Sequence, residues 1–197
     1  MSRVIWAIVF VLSSISMAMA ADVKTDGPFQ IRYASNLNIG DSVVDITNSG
    51  ASGATICANV YTFDPAEELI SCCSCSVTPN ALVSLSVQND LISNPLTPAI
   101  PTSVVVKLLS TTGGACNAGT PAATATLATG LLAFGTTLHA LPTSPVSYGV
   151  TETAFSPATL SATERANITG KCASIQSNGS GFGICASCRA GGLAPTQ

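Results

Sequence analysis

Cysteine is the residue type with the clearest potential for chemistry in this chain, which has eight of them in 197 residues. They are Cys57, Cys72, Cys73, Cys75, Cys116, Cys172, Cys185 and Cys188. An even number of cysteines in an exported chain predicts a framework of disulfide bonds. Because eight cysteines allow about 105 pairings, their spacing leaves the connectivity open.

The central cysteine cluster places its members on different faces. A bond between the adjacent Cys72 and Cys73 would strain a small ring, so we expect each of them to pair elsewhere. In a strand, Cys73 and Cys75 share one face and Cys72 points to the other. The cluster is therefore suited to join two different surfaces.

A metal or redox site is the alternative use of the cysteines. Cys73 and Cys75 with Cys185 and Cys188 would supply four thiolates for zinc or an iron–sulfur cluster. The second pair has the usual C-x-x-C spacing, whereas the first is one residue short. The same C-x-x-C favours a thiol redox role only weakly, because redox motifs normally open a helix after a strand.

The other ionisable residues do not form a recognisable catalytic set. His139 is the only histidine, and no G-x-S-x-G motif accompanies it. The carboxylates of Asp64, Glu67 and Glu68 lie on a proline turn, where such groups are usually solvated, and Asp41 and Asp45 lack the spacing of a calcium loop. We therefore predict that the protein is not an enzyme and needs no cofactor.

Short β-branched runs separated by turn residues predict the elements that carry these cysteines. In the first run Phe29, Ile31 and Tyr33 alternate with polar residues. The predicted strands are Phe29–Tyr33, Ser42–Thr47, Thr55–Phe63, Ala81–Val87, Ser103–Leu109, Ala123–Leu127 and Val146–Phe155. The apolar stretch Ala122–Leu141 is interpreted as strands or loop. This pattern predicts a mainly β fold, an Ig-like antiparallel sandwich with two packed sheets.

One C-terminal helix is predicted near residues 162–177. Ser161 and Glu164 form a capping box, in which each side chain would bond the other residue's amide. Ile168, Cys172 and Ile175 then fall on one face, and Gly179 ends the helix. We expect Cys172 to be buried and oxidised, with Cys116, Cys185 or Cys188 as its partner.

The N-terminus predicts export. Arg3 precedes the apolar run Val4–Leu12, and the Ala18-Met19-Ala20 pattern suits cleavage after Ala20. Nine apolar residues are too few to cross a bilayer, which needs about 20. We therefore expect residues 1–20 to be a signal peptide and residues 21–197 a single domain without a transmembrane segment. The product would be secreted or at the cell exterior, with the periplasm also possible.

The amino-acid composition excludes some classes of function. The net charge is −3 with only seven Lys and Arg residues, which excludes the basic surface that nucleic-acid binding needs. With 47% hydrophobic and 9% charged residues, the chain is not intrinsically disordered. We expect a non-catalytic structural or interaction protein of the cell exterior. Free sheet edges would bind another copy or other exterior proteins.

Four segments resemble a family of uncharacterised exported bacterial proteins. The shared features are a CCxC-x-VTP segment and a CxxCRxGGL ending. The segments are Ile56–Glu68, Cys72–Leu82, Ser84–Thr97 and Asn178–Leu193. The resemblance implies a signal peptide and a shared cysteine framework, with no activity, ligand or functional residue to transfer.

Overall fold

A computed structural model describes residues 27–113, 115–119 and 126–188 of the chain. The predicted signal peptide, most of the predicted strand Ala123–Leu127 and the residues after Cys188 lie outside these ranges. The strands are β1 Phe29–Ala34, β2 Val43–Asn48, β3 Ile56–Phe63, β4 Leu69–Val77, β5 Leu82–Ser86, β6 Val104–Thr112, β7 Thr126–Leu127, β8 Leu131–Leu141, β9 Ser147–Ala154 and β10 Ser156–Pro157. The helices are a π-helical turn over Val87–Leu91 and α1 over Ala162–Asn178.

The strands form two antiparallel sheets. The first sheet has the order β10-β1-β6-β3-β4, with β7 paired to β6, and the second has the order β5-β2-β8-β9. Val44 and Ile46 of β2 are fully buried between the sheets, whereas Val43 and Asp45 face outward, as alternation requires. The predicted mainly β fold, with two packed sheets, one C-terminal helix and disulfide bonds, is confirmed.

The first sheet is covered on both faces. One face packs on the second sheet around Val60, Leu108 and Phe155. The opposite face packs under α1 around Tyr61 and Ile168. All eight residues of β3 are buried as a result, which explains why this strand has no polar face.

The helix lies close to its predicted position. The Ser161 hydroxyl accepts the Glu164 amide at 3.0 Å, and Gly179 ends α1 in a left-handed conformation. Ile168, Cys172 and Ile175 are buried as predicted. The Glu164 carboxylate, which we expected to reach back to the Ser161 amide, lies 2.7 Å from Lys107 Nζ on β6. This ion pair ties the first turn of the helix to the sheet.

Candidate interaction surface

All eight cysteines form disulfide bonds, as the even count predicted. The pairs are Cys57–Cys116, Cys72–Cys172, Cys73–Cys185 and Cys75–Cys188. The prediction that Cys172 is oxidised is confirmed, but the partner we expected is wrong. Cys72 points outward from β4 towards the helix, whereas Cys73 and Cys75 point between the sheets. The adjacent cysteines therefore join opposite faces of one strand to different segments.

The C-terminal segment Gly183–Cys188 covers the free edge of β4. The Cys72 amide donates to the Gly183 carbonyl at 2.8 Å, and the Cys185 amide donates to the Cys72 carbonyl at 3.3 Å. Ile184 pairs with Cys72 in a parallel bridge. Two of the disulfides then attach the same segment covalently to β4. We call this region the closed edge.

Asp90 holds the outer side of the closed edge. Its carbonyl accepts the Ala186 amide at 2.9 Å, and its carboxylate accepts the Ser187 hydroxyl. The other carboxylate oxygen accepts the Ser86 amide at 2.7 Å. The residues between Cys185 and Cys188 are thus fixed between β4 and the π-helical turn.

The four cysteines of the metal or redox alternative do come together, but as two disulfide bonds. Cys73 pairs with Cys185, and Cys75 pairs with Cys188. In this state none of the four carries the thiolate that a metal ion or thiol exchange requires. Cys185 and Cys188 also bond to β4 rather than to each other, unlike the two cysteines of a redox C-x-x-C motif.

The carboxylates and the histidine singled out by the sequence lie apart and have structural contacts. The Asp64 Oδ1 atom accepts hydrogen bonds from the backbone amides of Ala66 and Glu68, both at 2.9 Å, and these bonds close the turn that contains Asp64. His139 Nε2 lies 2.8 Å from Thr151 Oγ1 on an exposed face. Within the described ranges, no three His, Cys, Asp or Glu residues group as metal ligands. Helices of the described residues are also too short or too polar to cross a membrane.

A groove of about 410 Å³ lies between α1 and the turn after β3. Lys107 Nζ lies 4.4 Å from the centre of the Phe63 ring and 2.7 Å from Glu164. Lys171 approaches the same ring from the helix at 5.9 Å. These contacts dock the helix on the sheet beside the groove.

The strand β9 is the longer of the two edge strands of the second sheet, with eight residues against five in β5. Its eight residues pair with β8 in one unbroken register, from Leu141↔Ser147 to Phe134↔Ala154. Among the residues that the structure describes, no strand lies on its other side. All its residues are exposed except Gly149, which is partly exposed. We call this region the open edge.

The open edge lacks the features that usually prevent edge pairing. Natural edge strands carry lysines, prolines or bulges that block an added strand. The edge strand β10 is only two residues long and includes Pro157. In contrast, β9 has no proline or bulge, and Glu152 is its only charged residue. Tyr148 and Val150 on the same face are 53% and 62% exposed.

The ribbon formed by β8 and β9 projects beyond the sandwich. Strand β2 pairs only with residues Leu131–Gly135 of β8, so the rest of β8 is paired on one side by β9 alone. Leu138 is still covered by the loop at Gly40, where an added Cβ would lie 2.2 Å from its Cδ1. Beyond Leu138, the apolar side chains of Leu141, Val146 and Tyr148 are exposed.

Arg32 fastens the base of this ribbon to β1. Its Nη2 donates to Thr137 Oγ1 at 2.8 Å, and its Nε donates to Thr153 Oγ1 at 3.2 Å. The guanidinium lies against the backbone of Gly135, and Arg32 is only 9% exposed. Burial lowers the pKa of this guanidinium. The two threonines thus position β9 through a cation buried between the sheets.

Sequence reasoning missed the role of Arg32, which lies on the face of β1 opposite Phe29 and Ile31. The available signal was Gly135, because an isolated glycine inside a strand marks a close approach of another group to the backbone.

Comparisons with protein-family models, curated proteins and solved structures found no match to this chain.

Proposed function

We propose that this protein is an exported, non-catalytic interaction protein of the cell exterior that binds an extended partner strand at the open edge. The observation that carries this proposal is the unguarded edge of β9. Its eight residues pair regularly with β8, alternate residues point their backbone N–H and C=O groups outward, and the strand has no proline and a single charged residue, Glu152. Addition of a strand to such an edge is an established mode of peptide recognition.

The backbone supplies the affinity in this mode. Alternate residues of an edge strand point their amide and carbonyl groups outward, so about four residues of β9 are available for pairing. Each new hydrogen bond contributes about 0.5–1.5 kcal/mol. Tyr148 and Val150 add cross-strand contacts on the outer face. A surface that works through backbone and apolar groups also suits a chain with only 9% charged residues.

The rest of the molecule serves as a rigid frame for this edge. Four disulfides bond β3 and β4 of the first sheet to neighbouring segments, and Arg32 holds the ribbon at its base. A preorganised edge loses less conformational entropy when it binds a partner. Disulfides also suit the oxidising exterior that the predicted signal peptide implies.

Photo-crosslinking in the producing cells tests the proposal. Benzoylphenylalanine replaces Tyr148 at the open edge or, as a control, Leu82 on β5, which is 63% exposed on the same sheet. We expect adducts from position 148 that disappear when Val150→Lys is added, and none from position 82. The proposal fails if both positions give the same adducts, or if neither gives any.

Metal analysis of the same purified protein addresses the alternative use of Cys73, Cys75, Cys185 and Cys188. The oxidised protein is expected to contain no stoichiometric zinc or iron, because all four cysteines are in disulfides. A monomeric protein with one metal ion per chain would overturn the interaction proposal and favour a metal site.

A further inference from the structure

We infer that the strand that covers the open edge is β9 of a second copy of this chain. This inference rests on the proposed function and names its partner. The two β9 strands would pair antiparallel about a two-fold axis. The second sheets of the two copies would then form one continuous sheet, with the order β5-β2-β8-β9 followed by its reverse.

The side-chain alternation of β9 is compatible with such an axis. A two-fold axis perpendicular to the sheet keeps the outer faces of both copies on the same side. If the axis passes at Val150, this residue faces its own symmetry mate, and Tyr148 faces Glu152 of the second copy. Tyr148, Val150 and Glu152 share one face of β9, so every facing pair lies on a common surface. In this register, the residues on the outer face of one β9 strand lie opposite residues on the outer face of the other.

The charges of β9 also permit self-pairing. Glu152 is the only charged residue in the strand, and it lies two residues from the proposed axis. The two Glu152 side chains would therefore be four strand residues apart, or about 14 Å. This distance exceeds the Debye length of about 8 Å at physiological salt, so their repulsion is largely screened. No like charges face each other across the new pair.

The apolar surface of the ribbon supports a symmetric partner. Pairing at Val150 brings the two Val150 side chains, each 62% exposed, together at the centre of the outer face. The exposed Tyr148 rings lie on either side and cover the aliphatic part of the opposing Glu152. A single added strand is a small interface compared with the standard of about 1,600 Å², so we expect a weak and reversible dimer.

Analytical ultracentrifugation of the oxidised mature protein tests this inference. Val150→Lys places two lysines face to face at the axis, whereas Leu82→Lys adds the same charge at an equally exposed position on the opposite edge of the sheet. We expect the unmodified protein to dimerise as its concentration rises. Val150→Lys should raise the dimer dissociation constant at least about tenfold, and Leu82→Lys should leave it within about twofold.

Hydrogen exchange on the same samples shows whether β9 is the contact. Amides of β9 should become protected at dimer-forming concentrations in the unmodified protein and in Leu82→Lys. In Val150→Lys they should stay unprotected, while the amides of β8 keep their protection because the ribbon remains folded. Equal dimerisation of both lysine variants would overturn the inference.

A further variant separates β9 from the other segment that a second copy offers. Removal of residues 21–26, which precede the described structure, leaves β9 intact, so dimerisation should persist. Loss of the dimer in this variant would assign the open edge to the N-terminal segment and overturn the inference. If the unmodified protein stays monomeric while Tyr148 crosslinks a different exterior protein, the inference fails but the proposed function stands. If neither result is obtained, both fail.

Discussion

The edges formed by β4 and β9 contrast within one molecule. The edge of β4 is hydrogen-bonded to the C-terminal segment and bonded to it by two disulfides. The edge of β9 is paired with no further strand of the described ranges and carries a single charge over eight residues. A strand edge is a template for pairing unless something blocks it. Here one edge is blocked covalently, and the other keeps every feature that favours pairing.

The disulfide bonds and the open edge lie in different parts of the molecule. Three of the four disulfides attach β4 to the helix or to the segment after it, and none involves the ribbon of β8 and β9. The open edge, which we propose as the binding surface, therefore lies apart from the segments that carry the cysteines of these three bonds. The disulfide-bonded first sheet thus supports the ribbon of β8 and β9, whose outer edge is exposed.

Removal of one of the two covalent attachments of the closed edge should weaken the contrast most strongly. In Cys75→Ala/Cys188→Ala we expect the free energy of unfolding to fall by about 2–3 kcal/mol, because the Cys73–Cys185 bond still joins the same two segments and only a short loop is released. Amides of β4 should then exchange faster, towards the rate of β9. Denaturant unfolding and hydrogen exchange measure both effects. The control Cys57→Ala/Cys116→Ala also loses stability but should leave β4 protected, and equal deprotection by both would contradict the closed edge.

Substitution of Gly135 should loosen the open side. An alanine Cβ here would lie 2.6 Å from Arg32 Nη1, so Gly135→Ala must displace the guanidinium from Thr137 and Thr153. We expect a loss of about 1–3 kcal/mol and faster exchange in β9. The matched control is Gly149→Ala on the same ribbon, where the nearest atom would lie 3.5 Å away and the change should stay within about 0.5 kcal/mol. Equal effects at both glycines would exclude the role of Arg32.

The buried Tyr61 should make the stability of the folded protein depend on pH in the alkaline range. Tyr61 is buried on the covered side, where its hydroxyl donates to the Ala118 carbonyl at 2.8 Å and burial raises its pKa. Its neutral form is therefore favoured in the folded state. Stability should be unaffected below pH about 10 and should fall above it by about 1.4 kcal/mol per pH unit, as the tyrosine of the unfolded chain ionises.

Alkaline unfolding of two variants checks this sign. Tyr61→Phe should remove that part of the slope, at the cost of about 1 kcal/mol near neutral pH from the lost hydrogen bond. Tyr148→Phe on the open edge is the matched control, because it leaves Tyr61 and its hydrogen bond to Ala118 in place, so the slope from Tyr61 should remain. If the two variants lose stability equally above pH 10, Tyr61 is not the residue responsible.

The smallest effect is expected at Gly170, in the helix over the covered side. An added Cβ would meet nothing within 4 Å, and the position lies inside α1. Gly170→Ala should raise the free energy of unfolding by about 0.5–1 kcal/mol without changing exchange at either edge. Thermal unfolding with hydrogen exchange measures both, and destabilisation would show that the helix needs the glycine.

Local patterns predicted much of the fold. The Ser161 cap and the spacing of Ile168, Cys172 and Ile175 located the helix, and strand alternation placed Cys72 opposite Cys73 and Cys75. Strand β4 was not recognised as a strand, because burial on both faces leaves no alternation in Leu69–Val77. The partner of Cys172 was mispredicted, since disulfide pairing depends on which segments the tertiary fold brings together.

The candidate surface was only partly accessible to sequence reasoning. The run Val146–Phe155 correctly indicated a strand, and free sheet edges were expected to bind partners. That this particular strand is the last of its sheet follows from the strand order β5-β2-β8-β9, which connects segments far apart in the chain. Arg32 was placed on a polar face, and its burial becomes visible only when β8 and β9 are packed above it.

The position of the covering segment in the chain sets an order of events during biosynthesis. Cys73 and Cys75 pair with cysteines that lie 112 and 113 residues later in the chain, so neither bond can form until those residues have been synthesised. Until Cys185 and Cys188 have been synthesised, the Gly183–Cys188 segment cannot cover β4, and the nascent chain carries a second edge able to pair. A chain that ends early would keep that edge uncovered. We therefore expect products truncated before Gly183 to aggregate more readily than the full chain.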